Sequence, residues 1–129
     1  MAFCPLSGMV WFEVMGKDGE KLRSFYGDLF GWSYENVEGM DYGMVQGGNG
    51  GEMPAIPGGI GTAPENAPSY QTFYVGVDDI PAALAKAESL GGKTAMPLVE
   101  LPMGGKIAIF SDPEGNMIGL HTPPPQPAQ

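Results

Sequence analysis

Residues 9–14 read MVWFEV and residues 72–77 read TFYVGV, and each of these short apolar segments opens the same series of features. An acidic residue, an amphipathic helix and a glycine follow in both copies. The first copy has Asp18, a helix to Phe30 and Gly31, and the second has the pair Asp78 and Asp79, a helix to Leu90 and the pair Gly91 and Gly92. Gly31 and Gly91 are sixty positions apart. A repeat of this kind predicts two equivalent supersecondary units. We therefore predict an α+β fold of two βαβββ modules, with curved mixed sheets around a cleft and helices on the outer face.

The chain is predicted to be a single domain, with module one at about 8–58 and module two at about 70–122. Residues 47–69 contain eleven glycines or prolines, which is typical of a linker, with a short strand expected around 53–56. The proline-rich end, 123–129, is predicted to be disordered. Further strands are predicted near 32–37, 41–46, 92–100, 105–111 and 116–122.

Strand alternation predicts which side chains face the helices. Val10, Phe12 and Val14 should meet an apolar stripe on the first helix, which consists of Leu22, Phe25, Tyr26, Leu29 and Phe30. Phe73, Val75 and Val77 should do the same in the second module. The opposite faces then look into the cleft, and they carry Trp11, Glu13, Tyr70, Thr72, Tyr74, Met117, Gly119 and His121.

Charge and composition exclude several classes of partner. Six basic and fifteen acidic residues give a net charge of −9, which argues against nucleic acid and against an anionic membrane surface. No apolar run reaches the ~20 residues of a membrane-spanning helix, and we recognise no signal peptide. Cys4 is the single cysteine, which suits a reducing compartment. We predict a cytoplasmic protein.

Two motifs resemble a known family. The segments KLRSFYGDLFGW (21–32) and FSDPEGNMIGL (110–120), set in paired βαβββ modules, are similar to the vicinal oxygen chelate superfamily of glyoxalases, bleomycin resistance proteins and extradiol dioxygenases. The resemblance covers residues 8–122. It implies a small-molecule ligand or substrate, homodimers, and in many members a divalent metal held by His and Glu on cleft-facing strands.

The positions that match the family's metal ligands carry other residues here. They fall on Trp11, Thr72 and Gly119, and the fourth lies near 44–46 without a closer placement. Tryptophan and glycine offer no donor to a divalent cation and threonine offers a poor one. We therefore predict that no metal is bound through the family positions and that the protein needs no cofactor.

Two side chains are candidates for acid–base chemistry. Glu13 is a potential general base if an apolar cavity raises its pKa; alternatively it is a solvated carboxylate at the cavity mouth or a partner of Lys106. His121 is the only histidine, and it either hydrogen-bonds a ligand or is a structural residue at a strand end.

The remaining cleft residues predict ligand contacts. Trp11, Tyr70 and Tyr74 could stack on a flat molecule or pack together as an aromatic core. Thr72, Met117 and Gly119 complete the predicted ligand-binding set.

Three functions follow from this reading. The first is a metal-free binding protein of the resistance-protein type that holds a small, partly aromatic molecule. The second is a lyase, an isomerase or a dioxygenase-type enzyme of the same superfamily (lactoylglutathione lyase-like or dioxygenase-like) that uses Glu13, His121 or a non-standard metal site. The third is a sensor or scaffold domain without activity. The sequence leaves open whether any reaction is catalysed.

Overall fold

The computed structural model describes residues 8–45, 56–102 and 104–124, and within these ranges it contains eight strands and two helices. Their order is β1 (Met9–Gly16), α1 (Gly19–Phe30), β2 (Tyr34–Asn36), β3 (Tyr42–Val45), β4 (Gly58–Thr62), β5 (Tyr70–Gly76), α2 (Ile80–Ser89), β6 (Lys93–Glu100), β7 (Lys106–Ser111) and β8 (Met117–Thr122). This order is βαβββ twice, so the predicted α+β class and the two modules are confirmed.

The chain divides into two compact units. The first unit comprises residues 11–72, and its strands are ordered β2-β3-β4-β1. The second unit comprises residues 8–10 and 73–124, and its strands are ordered β5-β8-β7-β6. Each unit has one parallel strand pair, β1 with β4 in the first and β5 with β8 in the second, and its other pairs are antiparallel.

Both helices begin as the sequence predicts, and α1 also ends as predicted, whereas α2 ends at Ser89, one residue before the predicted Leu90. The carboxylate of Asp18 accepts a hydrogen bond from the Lys21 N–H, and Gly31 ends α1 with a φ of 77°. Asp79 caps α2 by accepting from the Ala82 N–H, and a proline occupies the first turn. These caps satisfy backbone groups that a helix end leaves without partners.

The apolar core of the second unit confirms the predicted strand phase. Ile80, Ala108 and Leu120 are buried together, and Val75 and Val77 pack against them. The side chains that alternate with these valines on β5 therefore point away from α2.

The helical stripe of α1 is only partly covered, which corrects the prediction. Phe25, Leu29 and Phe30 are all more than half exposed. Trp32, which follows α1, makes part of the contact with β1 that was expected of the stripe. Its ring centroid lies 5.6 Å from that of Phe12, and the ring also contacts Tyr26 and Phe30. These rings form an aromatic cluster between the end of α1 and Phe12 of β1.

A strand lies inside the stretch predicted as a linker. β4 occupies residues 58–62, and it pairs with β1 on one side and β3 on the other. Its Ile60 is fully buried. The short strand expected around 53–56 lies mostly outside the described residues, as do residues 47–55 of the linker, 125–129 of the tail and Cys4.

An ion pair ties α1 to the neighbouring strands. Arg23 donates to the carboxylate of Asp41 at 2.7 Å and to the carbonyl oxygen of Ile60 at 3.0 Å. The Thr62 hydroxyl donates to the same carboxylate at 2.5 Å and accepts from the Gly19 N–H. The hydrogen bonds from Thr62 and Arg23 lower the pKa of Asp41.

The DPEGN turn is organised by its aspartate. The carboxylate of Asp112 accepts from the backbone N–H groups of Glu114 and Asn116 and from the Asn116 side chain, each at 2.9 Å. Gly115 has a φ of 93°, a conformation that favours glycine. The motif therefore fixes the β7–β8 connection.

Candidate functional site

The carboxylate of Glu13 is the centre of a buried polar cluster in the first unit. Its side chain is only 9% exposed. The Tyr42 hydroxyl donates to Oε2 at 2.9 Å and the Tyr70 hydroxyl donates to Oε1 at 3.4 Å. The burial of Glu13 contradicts the alternative of a solvated carboxylate at a cavity mouth, and the alternative of a pair with Lys106 remains a prediction.

Trp11 extends this cluster by one more bond. Its indole N–H donates to the Tyr42 hydroxyl at 2.9 Å, so that hydroxyl accepts from Trp11 while it donates to Glu13. Chains of this type polarise each member and hold the side chains in one arrangement. Two of the predicted cleft residues on β1, Trp11 and Glu13, are thus joined through Tyr42.

The glycines of β4 make room for the Tyr42 ring. Gly59 is the register partner of Glu13, and a Cβ atom built on it would lie 2.0 Å from the Tyr42 hydroxyl oxygen. A Cβ on Gly61 would lie 2.7 Å from the same ring. No real side chain tolerates such distances, so the ring can cross β4 and reach Glu13 only because these positions are glycine.

Both tyrosines keep their protons firmly. Burial, and next the negative charge of Glu13, raise the pKa of Tyr42 well above its ordinary value. The same causes raise the pKa of Tyr70 to about 12. Around neutral pH both phenols therefore remain hydrogen-bond donors to the carboxylate.

The carboxylate can take part in recognition or in proton transfer. An ionised carboxylate accepts several hydrogen bonds at once, because its two oxygens offer about four acceptor sites. It can accept a hydrogen bond from a ligand hydroxyl or amine, or take a proton from one. The rings of Trp11 and Tyr70 are apolar surfaces on which a flat molecule can lie.

The predicted site residues fall into two groups. Trp11, Glu13 and Tyr70 are brought together by hydrogen bonds in the first unit, to which partly buried Thr72 also belongs. The other four predicted residues, Tyr74, Met117, Gly119 and His121, belong to the second unit. The cleft that was expected to unite them remains a prediction.

Within the second unit, Tyr74 and Gly119 are register partners on β5 and β8. Tyr74 is buried, and a Cβ on Gly119 would lie 2.4 Å from its ring. Met117, at the start of β8, is 45% exposed. Gly119 thus supports an aromatic ring at the position where the family resemblance implies a metal ligand.

His121 is partly buried on β8, and it pairs with Gly76 of β5 and Ile107 of β7. Burial lowers its pKa, which favours the neutral imidazole. A neutral imidazole can accept or donate a hydrogen bond, so its two predicted roles both remain predictions.

Among residues 8–45, 56–102 and 104–124, no three His, Cys, Asp or Glu side chains come together in a way that could hold a metal ion. Glu13 accepts hydrogen bonds from two phenols, those of Tyr42 and Tyr70. Phenols that keep their protons are poor partners for a divalent cation.

Tyr42 is the site residue that the sequence analysis missed. The fourth family position was expected near 44–46, two residues further along β3. A signal was present in the glycines of GGIGT (58–62), because a strand without side chains implies that something large crosses it. Those glycines lie in the stretch 47–69, which the sequence predicts as a linker.

Comparison with known proteins identifies the family to which the chain belongs. The family model of the Glyoxalase/Bleomycin resistance protein/Dioxygenase superfamily matches residues 8–120. The chain therefore belongs to this superfamily, as the two motifs indicated. No described helix has the length and apolar character needed to cross a membrane.

Individual relatives share about a third of their residues or fewer with this chain in the matched regions. CFP32 of Mycobacterium tuberculosis, which bears a provisional glyoxylase name, is 32% identical over 114 residues, covering 85% of this chain and 43% of CFP32. A glyoxylase-like domain-containing protein of Didymella fabae is 29% identical over 127 residues, covering 87% of this chain and 91% of that protein. The chain thus spans less than half the length of CFP32.

A solved structure confirms the fold. The methylmalonyl-CoA epimerase of Streptomyces coelicolor, in complex with 2-nitronate-propionyl-CoA, superposes with a TM-score of 0.67 at 15% identity. The match covers 96% of this chain and 99% of the epimerase.

Proposed function

We propose that this glyoxalase-superfamily protein binds a small, partly aromatic molecule at the Glu13 cluster without the help of a metal. The observation that carries the proposal is the buried carboxylate that accepts hydrogen bonds from Tyr42 and Tyr70. The ligand would lie on the rings of Trp11 or Tyr70 and donate a hydroxyl or amine hydrogen to the carboxylate.

The hydrogen-bond pattern favours binding over chemistry. Phenol donors stabilise the ionised form of a carboxylate, which weakens it as a base. The same donors hold it in a fixed position, and a fixed acceptor next to aromatic surface is what recognition of a small polar aromatic molecule needs. At the family's metal positions, Trp11 suits stacking, and neither Trp11 nor Gly119 offers a donor to a metal ion.

Tryptophan fluorescence offers a direct test, because the chain has only two tryptophans. A Trp32→Phe variant leaves Trp11 as the sole reporter, and a Trp11→Phe variant leaves Trp32 as the matched control. Each is titrated with a panel of phenols, catechols and aryl amines. We expect at least one compound to change the emission of Trp11 and not that of Trp32.

A second measurement separates binding from quenching. A ligand present at about a hundred times its dissociation constant stabilises the folded protein by ~2.7 kcal/mol, which a thermal-shift assay detects. Trp11→Phe and Glu13→Gln should both reduce that stabilisation. If every compound stabilises both variants as much as it stabilises the unmodified protein, the Glu13 cluster is not the binding site.

The burial of Glu13 also favours a second function, a lyase or isomerase in which this carboxylate is the general base. Burial raises the proton affinity of a carboxylate and so opposes the effect of the tyrosines. The test is solvent deuterium incorporation into 2-oxo compounds and acyl thioesters, followed by NMR. Loss of exchange in Glu13→Gln but not in His121→Asn assigns the base to Glu13, and the reverse result assigns it to His121.

A dioxygenase-type or other metal-dependent reaction is tested by elemental analysis of the purified protein. Stoichiometric zinc, nickel, iron or manganese would overturn the metal-free proposal. It would require ligands outside the positions of Trp11, Thr72 and Gly119.

We also propose a cytoplasmic homodimer. The single cysteine supports a reducing compartment, and the outer strands β2 and β6 each pair with one neighbour in the described structure. Light scattering of the eluted protein gives the assembly, and cell fractionation gives the location. A monomer at micromolar concentration would overturn the first statement, and recovery outside the cytoplasm the second.

A further inference from the structure

A pocket lies beside the Glu13 cluster, in the first unit. It has a volume of ≈ 400 Å³, within the range of small-molecule sites. It is formed where β1 ends, α1 begins and β5 begins, and it is lined by Val14, Met15, Gly16, Lys17, Asp18, Lys21, Leu22, Ser69, Tyr70 and Gln71. Tyr70 is the one lining residue that also belongs to the Glu13 cluster.

The pocket carries an unusual share of positive charge. It contains two of the six basic residues in a chain whose net charge is −9, namely Lys17 and Lys21. The nearby Arg23 is already paired with Asp41. Within residues 8–45, 56–102 and 104–124, neither lysine takes part in an ion pair, so their ammonium groups are available to a ligand.

The one acidic side chain in the lining of the pocket already accepts a hydrogen bond. Asp18 is the only acidic side chain in the lining, and its carboxylate accepts the hydrogen bond that caps α1. The start of the helix offers little else to an anion, because the Gly19 N–H donates to Thr62 and the Lys21 N–H to Asp18. An anion would therefore be held by the lysine side chains.

The rest of the lining is mixed. Val14, Met15 and Leu22 supply an aliphatic wall, and Ser69 and Gln71 add polar groups. Aliphatic wall and ammonium groups in one pocket suit a molecule with an apolar body and an acidic end.

We propose that this pocket binds a small organic anion with an aliphatic body, its acidic group at Lys17 and Lys21 and its body against Val14 and Leu22. The site goes beyond the proposed function and does not depend on it. A failure of aromatic ligands at the Glu13 cluster leaves the pocket, its lysines and its predicted ligand class unchanged.

The test uses octanoate as the probe and octanamide as its neutral match. Amide chemical shifts in the ¹⁵N-labelled full chain should move with octanoate at 14–22 and 69–71, and octanamide should bind more weakly. In a Lys17→Gln, Lys21→Gln double variant, the affinity for octanoate should fall about tenfold, since two exposed ion pairs are lost. The affinity for octanamide should not change.

A charge-matched control is a Lys86→Gln, Lys93→Gln double variant, which removes the same net charge from α2 and β6. It should bind octanoate like the unmodified protein. Leu22→Ala should weaken both probes, because it removes the aliphatic wall. The proposal is overturned if octanoate does not bind at millimolar concentration, if octanamide binds as well as octanoate, or if both double variants lose the same affinity.

Discussion

The two parallel strand pairs of the molecule both place a glycine on their second strand, opposite a larger residue on the first. In the first unit, Glu13 of β1 lies opposite Gly59 of β4. In the second unit, Tyr74 of β5 lies opposite Gly119 of β8. The two modules thus share the position of the glycine and differ in the residue that faces it.

The position of the glycines decides which aromatic ring crosses the sheet. Gly59 and Gly61 let Tyr42 cross β4, where its hydroxyl reaches a carboxylate. Gly119 makes room for the Tyr74 ring over β8. The comparison teaches that the same backbone plan holds different chemistry according to where Cβ atoms are missing.

The largest effect is expected from Gly59→Ala, which should destabilise the protein by about 3 kcal/mol. The new Cβ would lie 2.0 Å from the Tyr42 hydroxyl oxygen and must displace the ring. Urea unfolding measures the change, and Gly8→Ala, where nothing lies within 4 Å, is the matched control.

A double-mutant cycle sharpens the same comparison. Tyr42→Ala should remove most of the cost of Gly59→Ala, and Tyr74→Ala should remove most of the cost of Gly119→Ala. Each tyrosine should rescue only its own glycine. Rescue of both glycines by one tyrosine would show that the two modules are not independent in this respect.

The next effect is that of Tyr42→Phe, which should cost about 1–2 kcal/mol. The variant takes a donor from Glu13 and an acceptor from the indole of Trp11, and it leaves the ring in place. Tyr26→Phe is the control, because Tyr26 makes its contacts by stacking on Trp32. Equal stability of the two variants would mean that the Tyr42 hydroxyl adds nothing.

A smaller change is expected in the alkaline titration of Tyr70. Its pKa is raised, so the folded state holds the proton more tightly than the unfolded state. The resulting stability is fully present below the ordinary pKa of about 10 and is lost as the pH rises towards about 12. Tyrosinate absorbance and urea unfolding across this window measure both effects.

Glu13→Gln should lower the pKa of Tyr70, because the carboxylate charge is one cause of the shift. Burial, the larger cause, persists, so the pKa should stay above its ordinary value. Glu100→Gln, on β6 of the second unit, should leave the titration unchanged. A Tyr70 pKa that does not respond to Glu13→Gln would contradict the hydrogen bond between them.

The smallest effects should be equal in the two modules. Asp18→Ala and Asp79→Ala each remove the same N-cap hydrogen bond and should each cost about 1 kcal/mol. Asp28→Ala, within α1 but away from its cap, should be near neutral. Thermal unfolding compares the three, and a clear difference between the caps would show that the repeat is not equivalent at its helix starts.

The sequence predicts what local patterns determine. Helix caps at Asp18 and Asp79 follow from side chains that bond their own backbone, and the phase of β5 follows from alternation against an apolar stripe. Two family motifs identified the fold before any geometry was known. These features need no knowledge of distant contacts.

What the sequence could not predict depends on contacts between distant segments. β4 lacks the residues typical of strands, since three of its five residues are glycine. The role of Tyr42 depends on those glycines and on Glu13, which lies 29 positions away. The exposure of Phe25 and Phe30 likewise depends on where Trp32 packs, and the spacing of residues within α1 does not predict that position.

The composition of β4 has a consequence for the order of folding. A glycine-rich segment loses more backbone freedom on ordering than any other, and here Ile60 is its one large side chain. We therefore expect β4 to be the last strand of its unit to order, when it joins the β2–β3 pair to β1.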